Sequence, residues 1–171
     1  ERIYRTLSDI LITTYDTEED IEFATLMVQN LNNNLITAPE LADLRKRLRQ
    51  LDSSKESQTF FTVLFKAWCG NAVATFSLCL LAQAYEQAYN LLQVFADMEM
   101  TVNTLIQIDK LVQLLESPVF TYLRMQLLEP ERFPHLYKCM YGLLMLLPQS
   151  SAFAALKNRL NSVSAIGYLH I

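Results

Sequence analysis

The stretch of sequence that decides the fold is Thr101–Leu128, TVNTLIQIDKLVQLLESPVFTYLRMQLL. In its first half, apolar residues recur every three or four positions, which is the pattern of the buried face of an α-helix. The residues of this face are Leu105, Ile108, Val112 and Leu115. The second half continues the pattern with Phe120, Leu123 and Leu127. The stretch therefore predicts two helices that fold back on each other as a hairpin.

The turn of this hairpin is predicted from Ser117 and Pro118. A residue before a proline avoids the helical conformation, which ends the first helix. Ser117 is expected to cap the second helix by accepting a backbone N–H, and Pro118 suits the first helical position because it has no N–H to lose. Neither helix could bury its apolar face alone, so other helices must cover both.

The segment before residue 52 predicts three helices. The first spans 2–13, with an apolar side formed by Ile3, Leu7, Ile10 and Leu11. The second is expected to begin after Thr17, with Asp20 completing a capping box, and to end at Asn32–Asn34. Its buried side is predicted to be Ile21, Ala24, Val28 and Leu31. The third is expected to open at Thr37–Glu40.

The middle of the chain predicts a loop followed by helices. Residues 52–58, DSSKESQ, form the most polar stretch and are predicted to be a flexible loop. A helix over 60–69 follows. Residues 72–95 are then predicted to form one long helix, capped by Asn71 and most buried in its first half.

The C-terminal part predicts a helix over 136–147 and a last helix that is capped by the polar residues 149–151 and ends at Leu160. Residues 162–171, SVSAIGYLHI, form an uncharged tail. Its apolar end is expected to pack either on its own chain or on another chain.

The predicted fold class is all-α. Antiparallel helical hairpins beginning near residues 17, 58, 101 and 134 would build a HEAT-like array or an irregular helical bundle. We expect one domain over 1–171. Because the chain begins at Glu1 without Met, we expect a fragment of a longer protein.

Composition excludes several classes of protein. Of the 171 residues, 51% are hydrophobic and 19% charged, which favours a well-filled core plus apolar surface. Only three glycines and five prolines are present, and that scarcity disfavours β-sandwiches and phosphate-binding loops. The net charge of −4 disfavours nucleic-acid binding. No apolar stretch is long enough to predict a membrane span.

Catalysis and cofactors are not predicted. The two histidines, His135 and His170, lie in a proline-flanked loop and next to the C-terminus, and no motif surrounds Ser150, which is expected to be a helix cap. Clusters with metal-ligand spacing are missing from the sequence. The three cysteines, Cys69, Cys79 and Cys139, are expected to be free, buried thiols in a reducing compartment.

Two groups of residues are candidates for binding. Arg45, Lys46, Arg47 and Arg49 form the one basic cluster, which suits an acidic partner or an anionic lipid headgroup, although the pattern favours a solvated helix face. Tyrosines and the apolar tail are candidates for self-association, or else for the edge of the core. These residues are Tyr85, Tyr89, Tyr168, Leu169 and Ile171.

Four blocks of the sequence resemble a known family. They are MVQNLNNNLITAPELADLRKRLR (27–49), AWCGNAVATFSLCLLAQAYEQAYNLLQ (67–93), IDKLVQLLESPVFTYLRMQLLEP (108–130) and YGLLMLLPQSSAFAALKNRL (141–160). The resemblance is to the C-terminal domain of the vacuole-morphology scaffold proteins (Vac fourteen), which belong to the phosphatidylinositol 3-phosphate 5-kinase (PIKfyve) complex.

The resemblance implies a function that the composition does not show. It implies a HEAT-repeat scaffold without catalysis or cofactors, whose C-terminal domain self-associates and binds a Sac-domain phosphoinositide 5-phosphatase. Such a complex controls phosphatidylinositol 3,5-bisphosphate on the cytosolic face of vacuolar, endosomal or lysosomal membranes. The resemblance also implies the phosphatidylinositol 3-phosphate 5-kinase as a partner, which N-terminal repeats outside this sequence help to recruit, and membrane association would be indirect. The alternative is a peripheral membrane module that binds anionic lipid through residues 45–49.

Overall fold

A computed structural model describes residues 1–13 and 17–167 of the chain. All regular structure in those ranges is helical, which confirms the all-α fold class. The chain divides into two compact units, unit 1 (Glu1–Gln83) and unit 2 (Ala84–Ile171).

Unit 1 is built from five α-helices within its described residues. They are α1 (Arg2–Ile12), α2 (Glu18–Thr37), α3 (Ala42–Arg49), α4 (Lys55–Trp68) and α5 (Ala72–Leu81). Short 3-10 turns precede α3 (Pro39–Leu41) and α4 (Leu51–Ser53). Helix α1 packs on α4, and α2, α3 and α4 all contact α5. Residues 73–81 of α5 are all buried, which confirms that this segment is the centre of a core.

Two hydrogen bonds tie α1, α2 and α4 together around Trp68, whose side chain is fully buried. The Trp68 indole donates to Asn32 Oδ1 at 3.3 Å, and the Tyr4 hydroxyl donates to the Leu31 carbonyl at 3.1 Å. Asn32 therefore lies inside α2, so the predicted helix end at Asn32–Asn34 is wrong. Asparagine stays helical here because a buried donor satisfies its amide oxygen.

Unit 2 is built from five further α-helices within its described residues. They are α6 (Tyr85–Asp97), α7 (Val102–Leu115), α8 (Thr121–Gln126), α9 (Pro134–Leu146) and α10 (Ser151–Gly167). A 3-10 turn (Pro118–Phe120) precedes α8. Helix α6 packs on α9, and α10 packs on both α7 and α9. The closest approach of α6 and α9 needs Gly142, because a Cβ there would lie 2.0 Å from Leu92 Cδ2.

The two units repeat one order of elements. In each, two helices are followed by a 3-10 turn with a short helix and then by two more helices. The buried residues of the second helix keep the same spacing in both units. They are Val28, Leu31, Asn32 and Leu35 in α2, and Ile108, Leu111, Val112 and Leu115 in α7. The chain thus contains a repeat of five helices, which is larger than the two-helix hairpin predicted from the sequence.

In unit 1 an arginine holds the C-terminal end of α2. Arg45 is only 7% exposed, and its Nη1 donates to the carbonyls of Leu35 (2.9 Å) and Ala38 (2.6 Å). These oxygens belong to the end of a helix, where carbonyls have no intrahelical donor. The positive charge also faces the negative end of the helix dipole.

Unit 2 uses the same arrangement at the end of α7. Arg124 Nη1 donates to the carbonyls of Leu115 and Ser117, the second at 2.7 Å. Pro118 follows Pro39 by the same number of residues as Arg124 follows Arg45. The predicted cap by the Ser117 side chain is wrong, since its Oγ is buried without a partner among the described residues. The Ser117 backbone carbonyl, which accepts from Arg124, forms the contact instead.

The last helix of each unit begins with the same kind of cap. Asn71 Oδ1 accepts from the Ala74 N–H at 3.0 Å, and Ser150 Oγ accepts from the Phe153 N–H at 3.2 Å. Both predicted caps are confirmed, and so is the predicted cap at Thr17, which accepts from the Asp20 N–H. The offset between Asn71 and Ser150 equals that between Arg45 and Arg124.

Three further predictions of secondary structure are wrong. The long helix over 72–95 breaks after Leu81, where Gln83 adopts a left-handed conformation (φ 62°) that stops a helix. The flexible loop over 52–58 is instead the end of a 3-10 turn followed by the first residues of α4, which Ser54 caps through the Ser57 N–H. The last helix continues beyond Leu160 into the predicted tail, to Gly167.

Candidate functional site

The basic cluster lies on α3, but its four side chains do not form one surface. Arg45 points inward, and burial together with the charge of Arg49 lowers its pKa. Lys46 and Arg47 are exposed, and Arg49 is half-buried. Arg47 forms an ion pair with Glu1. The cluster therefore offers a smaller free basic surface than the sequence suggests.

The tyrosines predicted for self-association differ in exposure. Tyr85 is buried, its ring meets Phe133 edge-on at 6.2 Å between centroids, and its hydroxyl bonds to Gln126 Oε1. Burial raises the pKa of Tyr85. This side chain belongs to the core of unit 2 and offers no surface to a partner.

Tyr89, by contrast, is half-buried beside polar groups of α9. Lys138 Nζ lies 5.4 Å from the centre of its ring, within the range of a cation–π contact, and the His135 ring lies 6.0 Å away. Tyr168, Leu169 and Ile171 lie outside the described residues.

A second tyrosine pair lies on α9. The hydroxyls of Tyr137 and Tyr141 are 3.3 Å apart, and both lie within hydrogen-bond distance of Ser164 Oγ, at 3.4 and 3.3 Å. Hydrogen bonds from Ser164 and Tyr137 lower the pKa of Tyr141. The cluster joins α9 to α10, so its evident role is structural.

Groups suited to catalysis are dispersed. His135 Nδ1 is buried without a partner among the described residues, and His170 lies outside them. Ser150 caps α10 and donates its hydroxyl to Asp109 at 3.0 Å. Among the residues that the structure describes, no three His, Cys, Asp or Glu side chains are placed to hold a metal ion.

The cysteines correct one expectation. Cys79 and Cys139 are buried, and burial raises the pKa of Cys139 to about 12. Cys69, however, is exposed at the C-terminal end of α4, so the prediction that it is buried is wrong. Partial burial still raises the pKa of its thiol.

The composition predicts apolar surface, but the sequence pattern placed several of its residues in the core. Ile3, Ile10 and Ile21, predicted to face inward, are 72%, 54% and 44% exposed. Leu11 is buried as predicted, but the other buried residues of α1 are Tyr4 and Ser8. A buried serine hides the true period of this helix, because it occupies a position where an apolar residue is expected.

Helix α2 carries two more such residues. Phe23 is 56% exposed and Leu26 is 57% exposed. Their signal in the sequence was available, because they lie three positions apart on the side opposite Ala24 and Val28. In unit 2 the corresponding class of residue includes Val94, Val102, Ile106, Met125 and Met145.

No helix within the described residues combines the length and apolar character that crossing a bilayer requires. The exposed apolar side chains of both units are the main candidates for a binding surface among the described residues.

Comparison with known proteins identifies relatives over almost the whole length. A family model described as "Vacuolar protein 14 C-terminal Fig4p binding" matches residues 1–163. The chain is 59% identical over 164 residues to "Protein VAC14 homolog" of Schizosaccharomyces pombe, which covers 96% of this chain and 20% of that protein.

Two further relatives match over nearly the whole chain. The chain is 48% identical over 164 residues to "Vacuole morphology and inheritance protein 14" of Saccharomyces cerevisiae, covering 96% of the chain and 18% of that protein. It is 47% identical over 169 residues to "Protein VAC14 homolog" of Arabidopsis thaliana, covering 98% and 22%. The chain thus spans between 18% and 22% of the length of these relatives. No solved structure gives a significant match.

Proposed function

The chain belongs to the vacuolar protein 14 C-terminal Fig4p-binding family, and from this premise we propose that it is a non-catalytic docking domain for a Fig4p-type phosphatase. In this proposal it binds a Sac-domain phosphoinositide phosphatase and self-associates. It thereby serves as one part of a scaffold in the kinase complex that controls phosphatidylinositol 3,5-bisphosphate.

The single observation that carries the proposal is the family match over residues 1–163, whose description contains Fig4p binding. Each relative is about five times longer than the matched region, so the activities of the whole proteins extend to this chain only as proposals. Binding to the phosphatidylinositol 3-phosphate 5-kinase is one of these proposals.

Two properties of the described surface support a docking role. Large apolar side chains are exposed in both units, as expected for a protein whose surface is covered by other chains. Candidate catalytic groups do not converge, since His135 and Ser150 each make their own local contacts. We propose the cytosolic face of the vacuolar or endolysosomal membrane as the location, reached through partners.

The alternative of direct binding to anionic lipid through 45–49 loses support from the position of Arg45. Its guanidinium is committed to two carbonyls of unit 1, and it is nearly inaccessible. Each basic residue near an anionic surface contributes only about 1 kcal/mol, so the loss of one of four is substantial.

A binding measurement with purified components tests the proposal. The chain is titrated against the Fig4p-type phosphatase by isothermal calorimetry, and a Sac-domain phosphatase from outside the complex serves as control. We expect saturable binding to the first and none to the second. The absence of binding at micromolar concentrations of both proteins would contradict the docking role. Light scattering on the chain tests self-association separately, and a strict monomer would contradict that part.

A further inference from the structure

The N-terminal half of α2 has an outward surface that the core of unit 1 does not explain. We call it the α2 face, formed by Glu19, Glu22, Phe23 and Leu26. All four residues are exposed, and the two apolar ones by more than half of their surface. Glu19 and Phe23, and likewise Glu22 and Leu26, lie one helical turn apart, so the four side chains are neighbours on one side of the helix.

The fold does not require the first turn of α2, which contributes Glu19 to this surface. Helix α7 occupies the equivalent place in unit 2 and buries the same pattern of residues, but it has 14 residues where α2 has 20. When the two helices are aligned on their shared pattern of buried residues, α2 begins about one turn earlier than α7. The first buried residue of α2 is Ala24, so the added turn contributes nothing to the core.

Charge distinguishes the two helices as well. The first turn of α2 contains Glu18, Glu19 and Asp20, whereas the first turn of α7 contains no acid. Acids in a first turn are explained by the helix dipole, but Glu22 lies beyond that turn. The residues of α7 that match Glu22 and Leu26 are Val102 and Ile106, so this side of α7 is apolar where α2 carries Glu22.

We propose that the α2 face is where the phosphatase docks, and that the segment it receives is basic and amphipathic. This inference rests on the proposed function above. Phe23 and Leu26 would contact aliphatic or aromatic side chains of that segment, while Lys or Arg residues one turn away would pair with Glu19 and Glu22. The choice of a basic partner follows from charge complementarity, because none of these carboxylates has an ion pair among the described residues.

The test compares three double variants of the chain in binding to the purified Fig4p-type phosphatase. The first, Phe23→Ser with Leu26→Ser, removes the apolar contact. The second, Glu19→Lys with Glu22→Lys, reverses the charge. The third, Val102→Ser with Ile106→Ser, is the matched control on α7. Circular dichroism and thermal unfolding verify that each variant is folded, as expected for substitutions at exposed positions.

We expect the dissociation constant to rise about tenfold or more in each α2 variant, as it does when residues at the centre of an interface are substituted. In the control it should stay within about twofold. Raising the ionic strength should weaken binding of the unaltered chain and should weaken that of the charge-reversed variant much less.

The outcomes separate the two proposals. Failure of the unaltered chain to bind the phosphatase overturns both. Binding by the unaltered chain with equal affinity of the α2 variants overturns the α2 face and leaves the docking function standing. Equal weakening in the control also overturns the assignment to α2, and so does an effect of the α2 variants on self-association alone.

Discussion

Unit 1 and unit 2 are two versions of one arrangement of five helices, and the features they share differ in kind from those they do not. The shared features are an arginine at the end of the second helix, a polar cap on the fifth helix and one pattern of burial. The differing features lie on surfaces, such as the acidic turn of α2, or in pairs of side chains that change together. The comparison teaches which residues the fold needs and which are available for function.

The largest expected effect concerns the residues that pack the first helix of each unit against the fourth. In unit 2, Gly142 lets Leu92 fit between α6 and α9. In unit 1, the residue that matches Gly142 at the offset between Arg45 and Arg124 is Val63, and the buried side of α1 includes the small residue Ser8. If Val63 and Ser8 meet as Gly142 and Leu92 do, the large and the small residue are exchanged between the two helices.

We expect Gly142→Val to lower the free energy of unfolding by about 3 kcal/mol, since its side chain would overlap Leu92. Leu92→Ser alone should cost a similar amount through the cavity that it leaves. The double variant imports the arrangement of unit 1 and should cost at least about 1 kcal/mol less than the sum. Denaturant unfolding followed by circular dichroism measures each value, and simple additivity would refute the equivalence.

The two arginines give the next largest effect. Arg45→Met should lower the free energy of unfolding by about 2–3 kcal/mol, because two carbonyls lose a charged, buried donor. Arg124→Met should cost about 1–2 kcal/mol, since Arg124 is more accessible to water. Lys46→Met, at an exposed neighbouring position, is the control and should change little. If only one of the two arginine variants were destabilised, Arg45 and Arg124 would not have equivalent roles at the ends of α2 and α7.

The caps of α5 and α10 should have smaller and similar effects. Asn71→Ala and Ser150→Ala each remove one hydrogen bond to a helix N-terminus, worth about 1 kcal/mol. The loss should be greater at Asn71, which is only 5% exposed. Thermal unfolding measures both, and Gln93→Ala on the exposed side of α6 is the control. A stabilised Ser150→Ala variant would contradict the role of this cap.

Much of this arrangement could be predicted from the sequence, since periodicity revealed most helices and side-chain chemistry located the caps at Thr17, Asn71 and Ser150. The break at Gln83 could not be predicted, because glycine and asparagine are the usual left-handed residues and glutamine carries no such signal. The buried Arg45 was also hidden. An arginine among three other basic residues resembles a solvated face until the helix end that it holds is known.

The candidate site was harder to predict than the fold. Tyrosine is a residue type common at interfaces, but the ring of Tyr85 packs against Phe133 and its hydroxyl bonds to Gln126, both inside unit 2. Phe23 and Leu26 look like core residues by type, and only the position of Ala24 and Val28 shows that they face outward. A pattern of apolar residues gives the period of a helix but does not say which of two apolar sides the core covers.

The smallest expected effect concerns an ion pair that unit 2 has and unit 1 lacks. Arg159 donates to both carboxylate oxygens of Glu116, at 3.1 and 2.5 Å, and joins α10 to the end of α7. The corresponding residues of unit 1 are Thr37 and Leu80, which carry no charge. The hydrogen bonds from Arg159 lower the pKa of Glu116, with burial opposing them.

This pair should make a pH-dependent contribution to stability. Because the folded pKa is below the ordinary value of about 4.3, the stabilisation is present above that value and is lost as the pH falls through the folded pKa. Glu116→Gln should therefore cost about 0.5 kcal/mol at neutral pH, a value typical of exposed pairs, and nothing in stronger acid. Urea unfolding at a series of pH values measures the difference, with Glu99→Gln, an exposed acid, as the control. A difference that persisted unchanged into acid would mean that the Glu116 side chain stabilises unit 2 by packing rather than by charge.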